Sequence, residues 1–259
     1  MKRGLLMLGL LASSASMAAV APQRWLMMVA TACNDPSREA EFNRWYDDID
    51  IPDVLEVPGY LRARRGVVAD TVVPAKDPLP QIGHYVALYD VESPAVDKTI
   101  IDILMAARRM DARGRSTPLI QVTERAWYRQ SSPTLQGSAR IPGAQDYLFV
   151  ERVDCCADAR QQRRFESWYA QEHLKRTLKM PGVRSATRFE LYRILMIDPQ
   201  AGSKHLTLYE AQAADAAAAQ ALADSIRREL SAGAPQDEWT TRRSILFRVM
   251  KDVPRPASR

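Results

Sequence analysis

Apolar positions change their spacing several times along this chain, and each change marks an element. From Trp25 to Cys33 nearly every residue is apolar, a compact run that predicts a buried strand. Phe42, Trp45, Tyr46 and Ile49 then recur at i, i+3, i+4 and i+7, which is one face of an α-helix. Asp35 and Ser37 offer capping oxygens ahead of that helix, and Pro58-Gly59 ends it. A strand is predicted from Tyr60 to Val68, before a loop rich in proline at Pro74, Pro78 and Pro80. His84 to Val91 alternates as a strand should, with Tyr85, Ala87 and Tyr89 on one face. Pro94 opens a second helix to about Met110, and Leu119 to Tyr128 reads as a closing strand.

The same order then returns. Tyr147 to Val153 predicts a strand, Arg160 to Met180 a helix, and Val183 to Ile197 an extended segment. His205 to Ala211 is another strand, the alanine-rich Asp215 to Leu230 a helix, and Arg243 to Met250 a last strand. The recurrence reaches single residues. Phe42, Trp45, Tyr46, Leu55, Pro58, Gly59, Ala63 and Arg65 reappear 123 residues later as Phe165, Trp168, Tyr169, Leu178, Pro181, Gly182, Ala186 and Arg188. Such constancy over 24 ungapped positions predicts two copies of one unit. One of the differing positions breaks the symmetry in its chemistry: Asp50 corresponds to His173.

A βαββαβ unit is the ferredoxin-like arrangement, an antiparallel sheet with both helices on one face. Its bare sheet face needs a cover, and two units packed sheet to sheet supply one. The expected fold class is therefore α+β, with two ferredoxin-like repeats forming an intramolecular, pseudo-dimeric barrel. The repeats are expected at 22–132 and 145–251, with a linker at 133–144 and a tail at 252–259. The stretch from Ser131 to Gly143, with two prolines and two glycines among small polar residues, marks that linker.

Composition narrows the classes. The chain has 259 residues, 46% hydrophobic and 26% charged, which suits a folded protein with a sizeable core and excludes global disorder. Its 36 basic and 31 acidic residues are dispersed, so no nucleic-acid surface is expected. Lys2 and Arg3, the apolar Leu5 to Leu11 and the small residues to Ala21 read as a signal peptide (1–21, cut near Ala18). That predicts a periplasmic or secreted protein with no membrane association after cleavage. The apolar part is too short for a bilayer core of about 30 Å. Three cysteines leave one over. A bond between adjacent Cys155 and Cys156 needs a small strained ring, one of them reaching Cys33 is the alternative, and buried or incidental thiols are the simpler expectation. No Cys/His grouping has zinc-ligand spacing, so no metal is expected.

Candidate chemistry concentrates on the two repeated helices. Phe165, Tyr169 and His173 share one face, and imidazole is the side chain best suited to proton transfer near neutral pH. Against this stands a partly exposed, merely hydrogen-bonded His173. Asp50 sits in an acidic string with Asp47, Asp48 and Asp53, most of it a solvated helix edge. If Asp50 points inward, it is a carboxylate base in a pocket that raises its pKa. Trp45 and Trp168 either pack in the core or line a pocket, and Tyr46 and Tyr169 bring a hydroxyl that needs a partner when buried. Arg65 and Arg188 either grip an anionic group of a substrate or pair with a helix carboxylate. His84 and His205 open strands and are expected to be exposed. No phosphate-cradling glycine loop, GxSxG or Cys/His nucleophile is present, so nucleotide chemistry is not expected.

The segments FNRWYDDIDIPDVLEVPGYLRARR and FESWYAQEHLKRTLKMPGVRSATR are similar to the helix signature of EthD-like proteins, in the dimeric α+β barrel superfamily. The resemblance implies that one chain forms the barrel that single-unit relatives build as a dimer, leaving a monomer or homodimer. It also implies a His173 that points into the barrel cavity. The function it implies is an enzyme without cofactor, acting on a small, largely apolar organic ligand by proton transfer. A lyase, an isomerase and a cofactor-free oxygenase are the types. His173, Asp50, Tyr169 and Tyr46 would be catalytic, and Trp45, Trp168, Arg65 and Arg188 would bind substrate. Two alternatives stay open: a non-catalytic binding or accessory protein for a hydrophobic metabolite, and a haem-binding member of the superfamily.

Overall fold

The structure, a computed structural model, describes residues 21–72, 83–156, 158–195, 204–233 and 239–256. The predicted signal peptide up to residue 20 and the proline-rich loop at Pro74, Pro78 and Pro80 lie outside the described residues.

The first repeat contains strand β1 (Gln23–Cys33), helices α1 (Glu39–Trp45) and α2 (Ile51–Glu56), strands β2 (Tyr60–Val72) and β3 (Tyr85–Ser93), helix α3 (Val96–Ala112) and strand β4 (Ile120–Gln130). After the short strand β5 (Leu135–Gln136), the second repeat runs through β6 (Gln145–Cys155), α4 (Ala159–Trp168), α5 (Leu174–Thr177), β7 (Val183–Leu195), β8 (His205–Ala213), α6 (Ala216–Gly233) and β9 (Trp239–Pro254). Within each repeat the strand order is that of a ferredoxin-like sheet, β4-β1-β3-β2 and β9-β6-β8-β7.

Two seams join the repeats. β2 pairs antiparallel with β9, and β4 pairs antiparallel with β7. Because both seams form, the sheet closes on itself, and among the described residues no long edge is left to pair with another chain. The result is an α+β barrel inside one polypeptide. Strand alternation sorts the side chains into layers. Leu26, Met28 and Ala30 of β1 join Leu88, Tyr128, Leu148, Leu206 and Phe247 in the barrel interior. Trp25, Met27 and Val29 face outward, under the helices of the first repeat. Phe149 does the same in the second, against Phe165, Ala219, Ala223 and Ile226.

Four expectations change. The linker is not wholly irregular, since Leu135 and Gln136 pair with Ala186 and Ser185. The tail is shorter, because β9 continues to Pro254, opposite Arg62 of β2. Cys155 and Cys156 are bonded to each other, with Cys156 at φ 57, while Cys33 is free. Finally, each signature helix is interrupted. Tyr46–Asp50 and Tyr169–His173 form a π-helical turn between two α-helical pieces. A π turn accommodates one extra residue and is rare enough to mark a functional segment. Its trace is visible in the buried stripe, which steps from Phe42 to Tyr46 by four but from Tyr46 to Ile51 by five. The second helix steps likewise from Phe165 to Tyr169 and on to Leu174.

Each helix then ends on Pro-Gly. Gly59 and Gly182 take φ of 93° and 94°, and a Cβ there would come within 2.7 Å of the Glu92 carbonyl oxygen and 2.5 Å of the Gln212 carbonyl oxygen. Glycine is required at both places by backbone sign and by space.

Candidate functional site: two helix–sheet clusters

The eight residues singled out from the sequence fall into two groups of four, one beneath each signature helix. The structure does not bring the two groups together. Both groups sit between helix and sheet, on the outer face of the barrel, so His173 does not point into the barrel cavity. Helices pack outside the strands, and an inward-facing helix residue therefore meets the outer sheet face.

In the first repeat the π turn carries Tyr46 and Asp50 to the wall of a small cavity of about 50 Å³. Met27, Val29, Val54, Ile103 and Ala106 make that cavity largely apolar, and Arg125 from β4 reaches it from the sheet. The Tyr89 hydroxyl donates to Asp50 Oδ2 at 3.3 Å. Burial raises the Asp50 pKa to about 6, against the opposing pull of Arg125 and the Tyr89 hydrogen bond. Burial, and then the nearby Asp50 charge, push the Tyr46 phenol upward. Arg125 and Asp50 form no ion pair, and the buried Nε of Arg125 has no hydrogen-bond partner. A base and an unused cationic donor thus share the walls of one apolar cavity.

The second repeat is closed where the first is open. Glu151, Tyr169, His173, Thr207 and Tyr209 form a polar cluster that is almost entirely shielded from solvent. The Tyr169 hydroxyl lies 2.8 Å from Thr207 Oγ1, 3.2 Å from Tyr209 Oη, and donates to Glu151 Oε2 at 3.2 Å. His173 Nε2 is 3.1 Å from the Tyr209 hydroxyl and 3.7 Å from Glu151 Oε2. The imidazole is stacked on Trp168, with ring centroids 5.6 Å apart. His173 Nδ1 and Glu151 Oε1 are buried without partners. Burial, and then the Glu151 charge, push the Tyr169 hydroxyl up, while burial, and then Tyr169 and Glu151, push the Tyr209 hydroxyl up.

None of the four expected substrate-binding residues lines the first-repeat cavity. Arg65 is fully buried, bonded to Asp47 and Asn43 and laid over the Tyr46 ring at 4.3 Å. Arg188 pairs with Glu166 and lies over Tyr169 at 4.4 Å. The arginines therefore tie the signature helices to the sheet, which is the second of the two readings. Trp45 donates its Nε1–H to the Arg115 carbonyl, and Trp168 packs against His173 and Gly233. His84 is exposed as expected, whereas His205 is buried, 3.4 Å from Glu166, because its strand starts beneath the helix rather than at a free edge.

The strand partners Tyr89, Arg125, Glu151, Thr207 and Tyr209 escaped the sequence reading. A signal existed. For Tyr89 and Tyr209 it is the repeat of Leu88-Tyr89-Asp90 as Leu208-Tyr209-Glu210, at an offset of 120 rather than the 123 of the helices.

No family model and no curated protein sequence matches the chain. Solved structures do. An anthrone oxidase-like protein is similar at 12% identity with a TM-score of 0.53, covering 91% of this chain and 94% of that one. A chlorite dismutase from Candidatus Nitrospira defluvii, in complex with imidazole, gives 11% identity and a TM-score of 0.52, covering 88% and 91%. A haem-binding protein from Thermus thermophilus gives 10% identity and a TM-score of 0.50, covering 89% and 92%. At these identities the likeness is one of fold. With its two seams and repeated strand order, the chain has the fold of an α+β barrel whose two ferredoxin-like halves are carried by a single polypeptide.

Proposed function

We propose that the first repeat holds a proton-transfer site for a small, largely apolar organic molecule, with Asp50 as general base. The observation that carries the reading is the placement of Asp50 and Arg125 on the walls of one apolar cavity without an ion pair between them. A C–H or O–H acid between them gives its proton to Asp50 Oδ, and the Nε–H of Arg125 receives the oxygen on which the negative charge develops. Tyr89 steadies the carboxylate, and Tyr46, held neutral, offers a second hydroxyl to the anion. Return of the proton at another atom is isomerisation, departure of a leaving group is lyase chemistry, and capture of dioxygen by the carbanion is the oxygenase variant. The EthD-like resemblance supports this range. The second cluster, closed to solvent, keeps a structural part in this reading.

Haem is the second reading, supported by the name of one similar structure, the haem-binding protein. A haem iron takes an imidazole nitrogen beside room for the macrocycle. The two buried imidazoles are engaged, His173 with Tyr209 and Trp168, His205 with Glu166. The first-repeat cavity holds about 50 Å³ and no histidine lines it. The residues present do not fit the group.

The test uses deuterium exchange at the acidic C–H of small cyclic ketones, followed by NMR. The expected result is catalysis that rises with pH through about 6, as Asp50 ionises, and that falls by about 10²–10⁴ in Asp50→Asn. Exchange that survives Asp50→Asn but is lost in His173→Ala would move the site to the second repeat and sink the proposal.

A further inference from the structure

Arg64 and Arg65 are neighbours on β2 and face opposite sides of the sheet. Arg65 lies under the signature helix, as described above, while Arg64 reaches the end of the barrel. Its guanidinium meets Asp90 of β3 at 2.6 Å and Glu210 of β8 at 2.7 Å, and so bridges the two repeats. Two cavities, of about 190 and 430 Å³, open on either side of this bridge, and Arg62, Arg64 and Glu210 line both. The larger one has buried Trp25, Phe189 and Leu208 among its walls, and Arg24 and Arg62 with it.

We propose that the larger cavity binds a small aromatic carboxylate, at a site separate from the Asp50 pocket. Three features select that chemistry. Phe189 and Leu208 present apolar surface to a ring, and the volume falls in the range of small-ligand sites. Arg64 is 3% exposed, and its Nε–H has no acceptor, a donor left unused beside the cavity. The lining holds three arginines, Arg24, Arg62 and Arg64, against two carboxylates, Asp90 and Glu210, an excess of one positive charge. Arg24 and Arg62 also pair with Glu92 and Asp252, but those pairs are solvent-exposed and yield readily to a ligand. A carboxylate matches both the excess charge and the fork of a guanidinium. Thr134, from the segment joining the repeats, and Thr187, its hydrogen-bond partner at 2.8 Å, complete the wall. The site therefore draws on the linker as well as on both repeats.

Calorimetric titration of the whole protein with 2-naphthoate tests the proposal, with the uncharged 2-naphthylmethanol as comparison. One equivalent of 2-naphthoate is expected to bind, with the alcohol at least about tenfold weaker. Arg64→Gln is expected to weaken naphthoate by about tenfold or more. Should that variant lose its fold by circular dichroism, Thr134→Trp, which fills the cavity from the linker and leaves the ion pairs intact, is expected to abolish binding. Equal affinity for acid and alcohol overturns the proposal, as does absence of binding up to the solubility of the acid. Binding unchanged by Thr134→Trp but lost in Asp50→Asn overturns it too, since the ligand then occupies the helix–sheet pocket. Failure of the exchange assay above has no bearing on this titration.

Discussion

Val29 and Glu151 stand at matching places in β1 and β6, opposite Arg125 in β4 and Ser244 in β9. Under one helix the acid is Asp50 on the helix and the cation Arg125 on the sheet; under the other the imidazole is on the helix and the acid on the sheet. The carboxylate moves from helix to sheet between the repeats, so the Asp50–His173 difference is half of a paired exchange. For Asp50 the energetic consequence has a definite sign. Its folded pKa is raised from 3.8 to about 6, so the folded state binds the proton more tightly than the unfolded chain. Stability falls as pH rises from about 4 through about 6, and the charged form costs on the order of 1–3 kcal/mol at neutral pH. Asp50→Asn is expected to remove that slope and raise the urea midpoint at pH 7. A wild-type midpoint flat between pH 4 and 7 would contradict this account.

The signature helices show what periodicity alone conveys. The repeat, the strand order and the barrel were legible, because burial alternates at two positions in strands and about 3.6 in helices. A uniform helical period nevertheless placed Trp45 and Ile49 on the buried face, where the structure leaves both half-buried and buries Ile51 instead. The step of five that marks a π turn was there in both copies and was absorbed into an α pattern. Sequence brought Tyr46 and Asp50 to one wall, but their sheet partners depend on strand register, which no local pattern supplies. The π turn also makes a prediction. Deleting the exposed Asp48 leaves the buried stripe at even steps of four, so unfolding should stay cooperative with a loss of about 1–2 kcal/mol. Deleting the exposed Arg44 rotates the α-helical part against the sheet and should cost several kcal/mol, roughly 3 or more, by chemical denaturation. Equal losses would show that the extra residue is not what the turn absorbs.

At the scale of the molecule the two seams decide most properties. In a barrel made of two chains, closure is an association step and stability depends on protomer concentration. Here β2–β9 and β4–β7 close within one chain. The melting temperature is therefore expected to stay constant over a roughly hundredfold range of protein concentration, by differential scanning calorimetry. A midpoint that climbs with concentration would mean that a second copy is needed to hold the fold.

The short strand β5 marks the place where one copy becomes the next, and its consequence is hereditary. In a symmetric dimer one codon writes both sites, so a change that improves one is imposed on the other. In this chain each site has its own codons. A step toward a carboxylate beneath one helix leaves the imidazole beneath the other untouched, and a barrel with two unlike sites can be reached one substitution at a time.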